Sequence, residues 1–328
     1  MAKNSTDFKA VILAGGSGER FWPLSTPERP KQFLRVFGGE SLLRQSVTRL
    51  LGLVKFEDVY VVTSKDLVAA TRKELPELPP ANIVGEPARR DTAAAVALGV
   101  ALARNGIIGV FSSDQMVRDA VSFRATVKSA IAKAAKSTSI VTIGIKPTYA
   151  STLFGYVDPR TGKFVEKPDQ AKAKKYLAAG YLWNAGMFIA SSTTFRRAFV
   201  AHATQLTRLS ESNGAPPHLK AVYEALPKIS FDYAIMEKYD DVDVVPGDFG
   251  WDDVGSFAAF DTYFPHDKAG NVREGPCTVV DSKDNICVAR SARISLLGVD
   301  NLVIVTTPDS VLVASKDKIS EMKKLFVK

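Results

Sequence analysis

The chain has 328 residues, room for roughly two domains of ordinary size. With 46% hydrophobic and 24% charged residues it has a globular balance, which excludes a disordered or fibrous chain. The formal charge of +8 asks for an anionic partner: nucleic acid, a membrane surface or phosphorylated small molecules.

The first apolar run, VILAGG, is too short for the core of a signal peptide. The longest, Ala93 to Ala103, stops at Arg104 and cannot span a bilayer. Residues 9–14 are expected to form a buried strand that runs into Gly15, Gly16, Ser17 and Gly18. Further strands are expected at 58–63, 82–85, 107–112 and 139–145, with helices at 41–51, 64–75, 91–104 and 120–135 between them. This alternation predicts a mostly parallel sheet covered on both faces. Asp91-Thr92 marks the N-cap of the apolar helix.

After residue 146 the rhythm changes. A hairpin is expected over 152–167, turned at Asp158-Pro159-Arg160-Thr161-Gly162. Helices follow at 169–179, 192–210, 217–226 and 231–239. From about 270 short β patterns run at 277–280, 285–289, 293–297, 302–306 and 311–314, closed by a Lys-rich helix over 316–327. The division predicted is an α/β domain over 1–265 and a small all-β appendage over 266–328. Two cysteines, Cys277 and Cys287, fit a reducing compartment and free buried thiols, although adjacent strands would let them face each other. Three dispersed histidines make a His-rich zinc site improbable.

The glycine-rich loop lets backbone N–H groups approach phosphate oxygens. A solvated turn explains the glycines about equally well. The dinucleotide fingerprint fails at Phe21, and the ATPase loop lacks its Gly-Lys-Ser/Thr. The continuation GGSGERFWPLSTPERPKQFL tips the balance. Arg20 and Lys31 put a fork and a point charge on one constrained loop, which suits a triphosphate. Trp22 and Phe33 are expected to pack and hold that loop.

Asp114, in Ser112-Ser113-Asp114-Gln115, ends a central strand, where open α/β sheets bind ligands; a lone helix cap is the plainer alternative. From Asp232 to Asp261 the chain carries a net −8, and the remainder +16. Most of those acids read as a solvated face. Asp252 and Asp253, held between Trp251 and Gly255, look fixed. One carboxylate from that loop and one from Asp114 would suit Mg²⁺ with phosphate oxygens and water. In Glu166-Lys167-Pro168 a carboxylate and an ammonium stand side by side at a strand end, suited to sugar hydroxyls and a phosphate, or to a plain exposed ion pair. Asn184, in WNAGMF, offers both a donor and an acceptor.

Together these blocks resemble the sugar-1-phosphate nucleotidylyltransferases, and within them the mannose-1-phosphate guanylyltransferases (GDP-mannose pyrophosphorylases). The resemblance runs in order through LAGGSGERFWP…PKQFL, GEPARRDTAAAVAL, FSSDQMV, TIGIKPTYASTLFGYV, FVEKP, WNAGMF and FDYAIMEKYDDVDVVPGDFGWDDVGS. The length resembles the short, single-function form without an isomerase domain. The fold implied is a Rossmann-like nucleotidyltransferase domain with a left-handed β-helix-like appendage. The reaction implied is GTP plus mannose 1-phosphate giving GDP-mannose and pyrophosphate, by in-line attack on the α-phosphorus.

By motif, the resemblance places Leu13, Gly15, Gly16, Gly18, Arg20 and Asp114 at the nucleotide, with Glu86 reading guanine. Arg20, Lys31, Asp114 and Asp253 become the catalytic set, Asp114 and Asp253 holding Mg²⁺ or another divalent cation. Gly155, Glu166, Lys167 and Asn184 take the sugar phosphate. A cytoplasmic homodimer is expected; nucleic acid is disfavoured because the basic residues are dispersed and no recognition module appears, and no membrane partner is expected. Gln115 stands where the family commonly has His, Asp91 where Asn is frequent, and Glu19 where Thr is frequent; the Glu19 side chain is expected to point away from the phosphates. The alternatives are another hexose 1-phosphate or NTP, or a silent GDP-mannose-binding regulatory subunit.

Overall fold

A computed structural model describes residues 7–16 and 18–326; the first six residues, Ser17 and the last two lie outside it. The chain divides into two compact units. One comprises residues up to Gly15 and Leu43–Asp252; the other joins Gly16–Leu42 to Asp253–Lys328. The expected boundary at 265/266 cuts the chain once, whereas each unit gathers segments distant in sequence.

The elements in chain order are β1 (Phe8–Ala14), α1 (Leu42–Thr48), β2 (Val59–Ser64), α2 (Val68–Glu74), β3 (Ile83–Glu86), α3 (Thr92–Ala103) and β4 (Ile107–Ser112). Then come β5 (Met116–Val117), α4 (Ala120–Ala134), β6 (Ile140–Ile145), β7 (Tyr156–Val157), β8 (Phe164–Val165), α5 (Gln170–Ala178) and β9 (Leu182–Ser191). Helices α6 (Ser192–His202), α7 (Thr204–Ser210) and α8 (Leu219–Glu224) precede a π-helical turn at Asp232–Met236, β10 (Val242–Gly247), β11 (Trp251–Asp252) and α9 (Ala259–Tyr263).

In the larger unit the main sheet runs β10-β6-β9-β4-β1-β2-β3, with the β7–β8 hairpin attached to β9. Neighbours pair in parallel except at β9, which is antiparallel to both β4 and β6. Pro246 is tolerated because β10 is an edge strand. Helix α3 is buried on every side, so it carries no amphipathic period. It closes tightly on β1: a Cβ on Gly99 would meet Val11 at 2.4 Å. Val110 joins the core around α3, while Phe111 meets Phe123 of α4 at 6.2 Å. Successive strand residues face opposite ways, so α3 and α4 cover opposite faces, as expected. Asp91 accepts from the Thr92 N–H at 2.7 Å, and Asp119 caps α4.

The smaller unit contains β12 (Val272–Glu274), β13 (Cys277–Val280), β14 (Ile286–Ala289), β15 (Ile294–Leu297), β16 (Leu302–Thr306), β17 (Val311–Ser315) and a 3₁₀ segment at Lys316–Leu325. Parallel rungs β12-β14-β16 and β13-β15 stack as a β-helix does. Buried Asn271 and Asn285 tie successive rungs: Asn285 donates to Asn271 Oδ1 at 3.0 Å, and its own Oδ1 accepts from Leu302 N–H at 2.9 Å. Cys277 and Cys287 are free and buried. Burial pushes the Cys287 thiol up to about 12, so it is unreactive. Phe21, Phe37, Phe257 and Phe260 form an aromatic core with ring centroids 5.3–6.5 Å apart.

Candidate active site

In the smaller unit the glycine loop folds against the acidic loop. Gly18 sits at φ +66°, a left-handed conformation that favours glycine, and a Cβ there would lie 2.3 Å from the Lys31 amide nitrogen. Any side chain at Gly18 therefore pushes away the segment that carries Lys31. Ser25 Oγ clamps the turn by donating to the Gly18 carbonyl at 2.6 Å. Phe33 is buried, and half-buried Trp22 packs edge-on to Phe326 at 5.8 Å, as their packing role required. Glu19, Arg20 and Gly16 are exposed.

Lys31 is only 6% exposed, and its ammonium donates to the Asp253 carbonyl at 2.7 Å. Arg20 and the Asp253 carboxylate flank Gly255, each about 3.5 Å from where a Cβ would stand. Fully buried Val254 is held at φ +48°, a strained conformation for a β-branched residue. Such strain persists where surrounding structure fixes a functional group. The loop thus presents two cations and a carboxylate in a held geometry.

In the larger unit Gly15 follows β1, and a Cβ there would meet Glu86 Oε2 at 3.1 Å. Glu86 is half-buried, and burial pushes its carboxyl up to about 7, partly offset by the Tyr223 hydroxyl. The Leu13 carbonyl accepts from Ser113 N–H at 3.0 Å, joining β1 to the turn that carries Asp114. Half-buried Asp114 faces the charge of Arg49, whose guanidinium burial lowers to about 10. Arg49 donates to the Gln115 carbonyl at 2.9 Å, and Gln115 Nε2 donates to the Ala185 carbonyl at 2.8 Å. The Gln115 side chain thus ties the Asp114 turn to β9.

Also in this unit, Gly155, Glu166, Lys167 and Asn184 converge. A Cβ on Gly155 would meet Glu166 Oε2 at 2.6 Å and Asn184 Cβ at 3.5 Å, so glycine makes room for a ligand or for these side chains. Lys167 donates to Glu166 Oε1 at 2.5 Å. Burial alone would lower the Lys167 ammonium, but the bond to Glu166 and its charge hold it above the usual lysine value.

Asn184 does not offer a ligand both a donor and an acceptor, as was expected of it. Its Oδ1 already accepts from Thr142 Oγ1 at 2.8 Å and from Gly186 N–H at 3.0 Å. Both lone pairs are engaged, so it offers a ligand a donor and no acceptor. Its Nδ2 donates at 3.0 Å to Asp232, a residue the sequence reading left in the solvated acidic face. Asp232 is half-buried, and burial together with the Glu166 charge raises its carboxyl well above the usual range. The signal that could have found it was its place between Phe231 and an apolar run, unlike the acids at 240–243.

A glycine loop with paired cations, beside an acidic loop, and a parallel sheet bearing a strand-end carboxylate are the parts of a nucleotide-handling transferase. The nucleotidyl transferase family model matches residues 9–269, and the MannoseP isomerase/GMP-like beta-helix domain matches 275–328. The chain belongs to the nucleotidyl transferase family. It is 36% identical to the xanthan biosynthesis protein XanB of Xanthomonas campestris, over 98% of this chain and 73% of that one. A mannose-1-phosphate guanylyltransferase of Klebsiella pneumoniae is 35% identical, over 96% of this chain and 72% of that one. A crystal structure from Thermus thermophilus, described as a mannose-1-phosphate geranyltransferase, superposes with a TM-score of 0.89 at 36% identity, covering 98% of each chain.

Proposed function

We propose that the chain transfers GMP from GTP to mannose 1-phosphate, releasing pyrophosphate. The observation that carries this is the Gly18–Lys31–Asp253 arrangement: a glycine-only turn packed on a buried lysine whose ammonium is fixed beside an acidic loop. Such a loop neutralises a triphosphate, and the Klebsiella relative names the substrate class. Arg20 and Lys31 bind the phosphates that leave as pyrophosphate. Glu86, when ionised, accepts from N1–H and the amino group of guanine, while Gly15 leaves space beside it. Lys167 binds the sugar phosphate, whose oxygen attacks the α-phosphorus in line.

On the resemblance alone, Asp114 of the larger unit and Asp253 of the smaller are each proposed as a ligand of Mg²⁺ or another divalent cation. Oxygen donors alone suit such an ion. Mg²⁺ takes one or two carboxylates and completes its shell with substrate phosphate oxygens and water. When bound, the ion supplies charge neutralisation at the reacting phosphate. Cytoplasmic location and a homodimer complete the reading. Among the described residues no helix is long and apolar enough to cross a membrane.

Pyrophosphate release over a matrix of NTPs and hexose 1-phosphates tests the proposal. The pair GTP and mannose 1-phosphate should give the highest kcat/KM. No release with any pair would favour a silent binder of GDP-mannose, and a different best pair would reassign the substrates.

A further inference from the structure

We propose that Asp232 is a specificity-determining residue that accepts a hydrogen bond from a hydroxyl of the sugar, in partnership with Glu166. This deepens the proposed function and rests on it. Three observations carry it.

The first is an accounting of acceptors. Sugar hydroxyls need acceptors as well as donors, and Asn184 has none to give, because Thr142 and Gly186 occupy its Oδ1. Beside Gly155 the carboxylates of this cluster are Glu166, Asp232 and Glu237; Glu166 is committed through Oε1 to Lys167, and Glu237 through its own Oε1 to the Glu166 N–H at 2.8 Å. Asp232 adds the carboxylate that is bonded directly to Asn184, next to the Glu166 Oε2 that faces Gly155.

The second is redundancy. Asp232 accepts from Asn184 Nδ2, but the Asn184 amide is already oriented by two bonds to its oxygen. Withdrawing a carboxylate from water only to fix a fixed amide is costly. A ligand hydroxyl gives the burial a purpose. The side chain sits on a π-helical turn, Asp232–Met236, a local insertion that often re-aims side chains at functional sites.

The third is charge. Three carboxylates, Glu166, Asp232 and Glu237, stand with one ammonium, Lys167. A phosphate is repelled from the carboxylate side and drawn to Lys167. The uncharged, hydroxyl-bearing part of a hexose 1-phosphate is therefore the part that fits against Asp232. Exposed Tyr233, the next residue, lies near Lys167.

Steady-state kinetics on Asp232→Asn, with mannose 1-phosphate and its monodeoxy analogues, test this. Asparagine is near-isosteric and keeps an oxygen for Asn184. The expected result is a KM for mannose 1-phosphate raised at least about tenfold, with the KM for GTP within about twofold. One monodeoxy analogue, disfavoured at least about tenfold by the wild type, should lose most of that penalty in the variant. Asp232→Ser provides the same comparison should the asparagine variant not fold. Equal effects on both substrates, or unchanged discrimination among the analogues, would overturn the proposal. No GDP-mannose from the wild type would overturn the parent reading as well, whereas an active wild type with an unaltered variant overturns this inference alone.

Discussion

Around Gly18, Lys31 and Asp253 the groups are placed by backbone geometry; around Gly155, Glu166 and Asn184 they are placed by one another. The first region uses a left-handed glycine, a strained Val254 and a carbonyl as anchors. The second uses side-chain hydrogen bonds that leave few donors or acceptors spare. A triphosphate is a large, flexible charge, and fixed cations on a rigid loop suffice for it. A sugar differs from its competitors by the direction of single hydroxyls, so its pocket must fix individual lone pairs.

If that contrast holds, substitutions in the first region are all-or-none. Gly18→Ala forces a Cβ onto the Lys31 amide and adds about 1–2 kcal/mol of left-handed strain. Turnover should fall by about three orders of magnitude, a loss expected when charge stabilisation at the reacting phosphate is removed. Activity within about tenfold of wild type would show that the loop relaxes, contrary to the account. Asp253→Asn comes next. It should cut kcat by about a hundredfold or more while the thermal transition stays put, and added Mg²⁺ should not rescue it. Near-normal Mg²⁺-dependent rates would remove Asp253 from the metal site.

The pocket should respond by degree and by substrate. Lys167→Ala should raise the KM for mannose 1-phosphate about ten- to a hundredfold, and that for GTP far less. An equal rise for both would move Lys167 out of the sugar-phosphate site. The smallest effect concerns Glu86. Its carboxyl, raised to about 7 by burial, must ionise to bind guanine, so the KM for GTP should climb about tenfold per pH unit below that value. In Glu86→Gln this slope should vanish. Stability has a defined sign as well. A raised carboxyl adds stability that is complete below its ordinary value of 4.5 and lost as pH rises through about 7. The glutamine variant should therefore gain in Tm relative to wild type at pH 8 and not at pH 4.5. A pH-independent difference in Tm would place Glu86 in open solvent.

How much of this was legible in the sequence follows the same contrast. Strands 107–112, 277–280 and 302–306 and the buried helix after Asp91 carried clean apolar patterns with caps, and they stand where expected. The 192–210 helix is broken at Ala203, where the chain leaves helical geometry between α6 and α7. The expected helix over 231–239 contracts to a π turn at Asp232–Met236. Strands β9 and β10 were not legible. One carries Trp183-Asn184-Ala185-Gly186 directly after its first residue, Leu182, and the other mixes valine with aspartate and ends in Pro246-Gly247, so each imitates a loop. The phosphate loop could be read because glycines and cations announce backbone-built sites. Asp232 offered only its place between Phe231 and an apolar run, a faint signal, because a partnered carboxylate and a solvated one look alike until their hydrogen bonds are known.

The central claim is that an oxygen of the sugar phosphate attacks the α-phosphorus of the nucleotide and pyrophosphate leaves. Mannose 1-phosphate labelled with ¹⁸O in its non-bridging phosphate oxygens tests it most directly, by mass spectrometry of the products formed with GTP. All of the label should be retained in GDP-mannose and none should enter pyrophosphate. Label in pyrophosphate, or release of GMP without a nucleotide sugar, would contradict it.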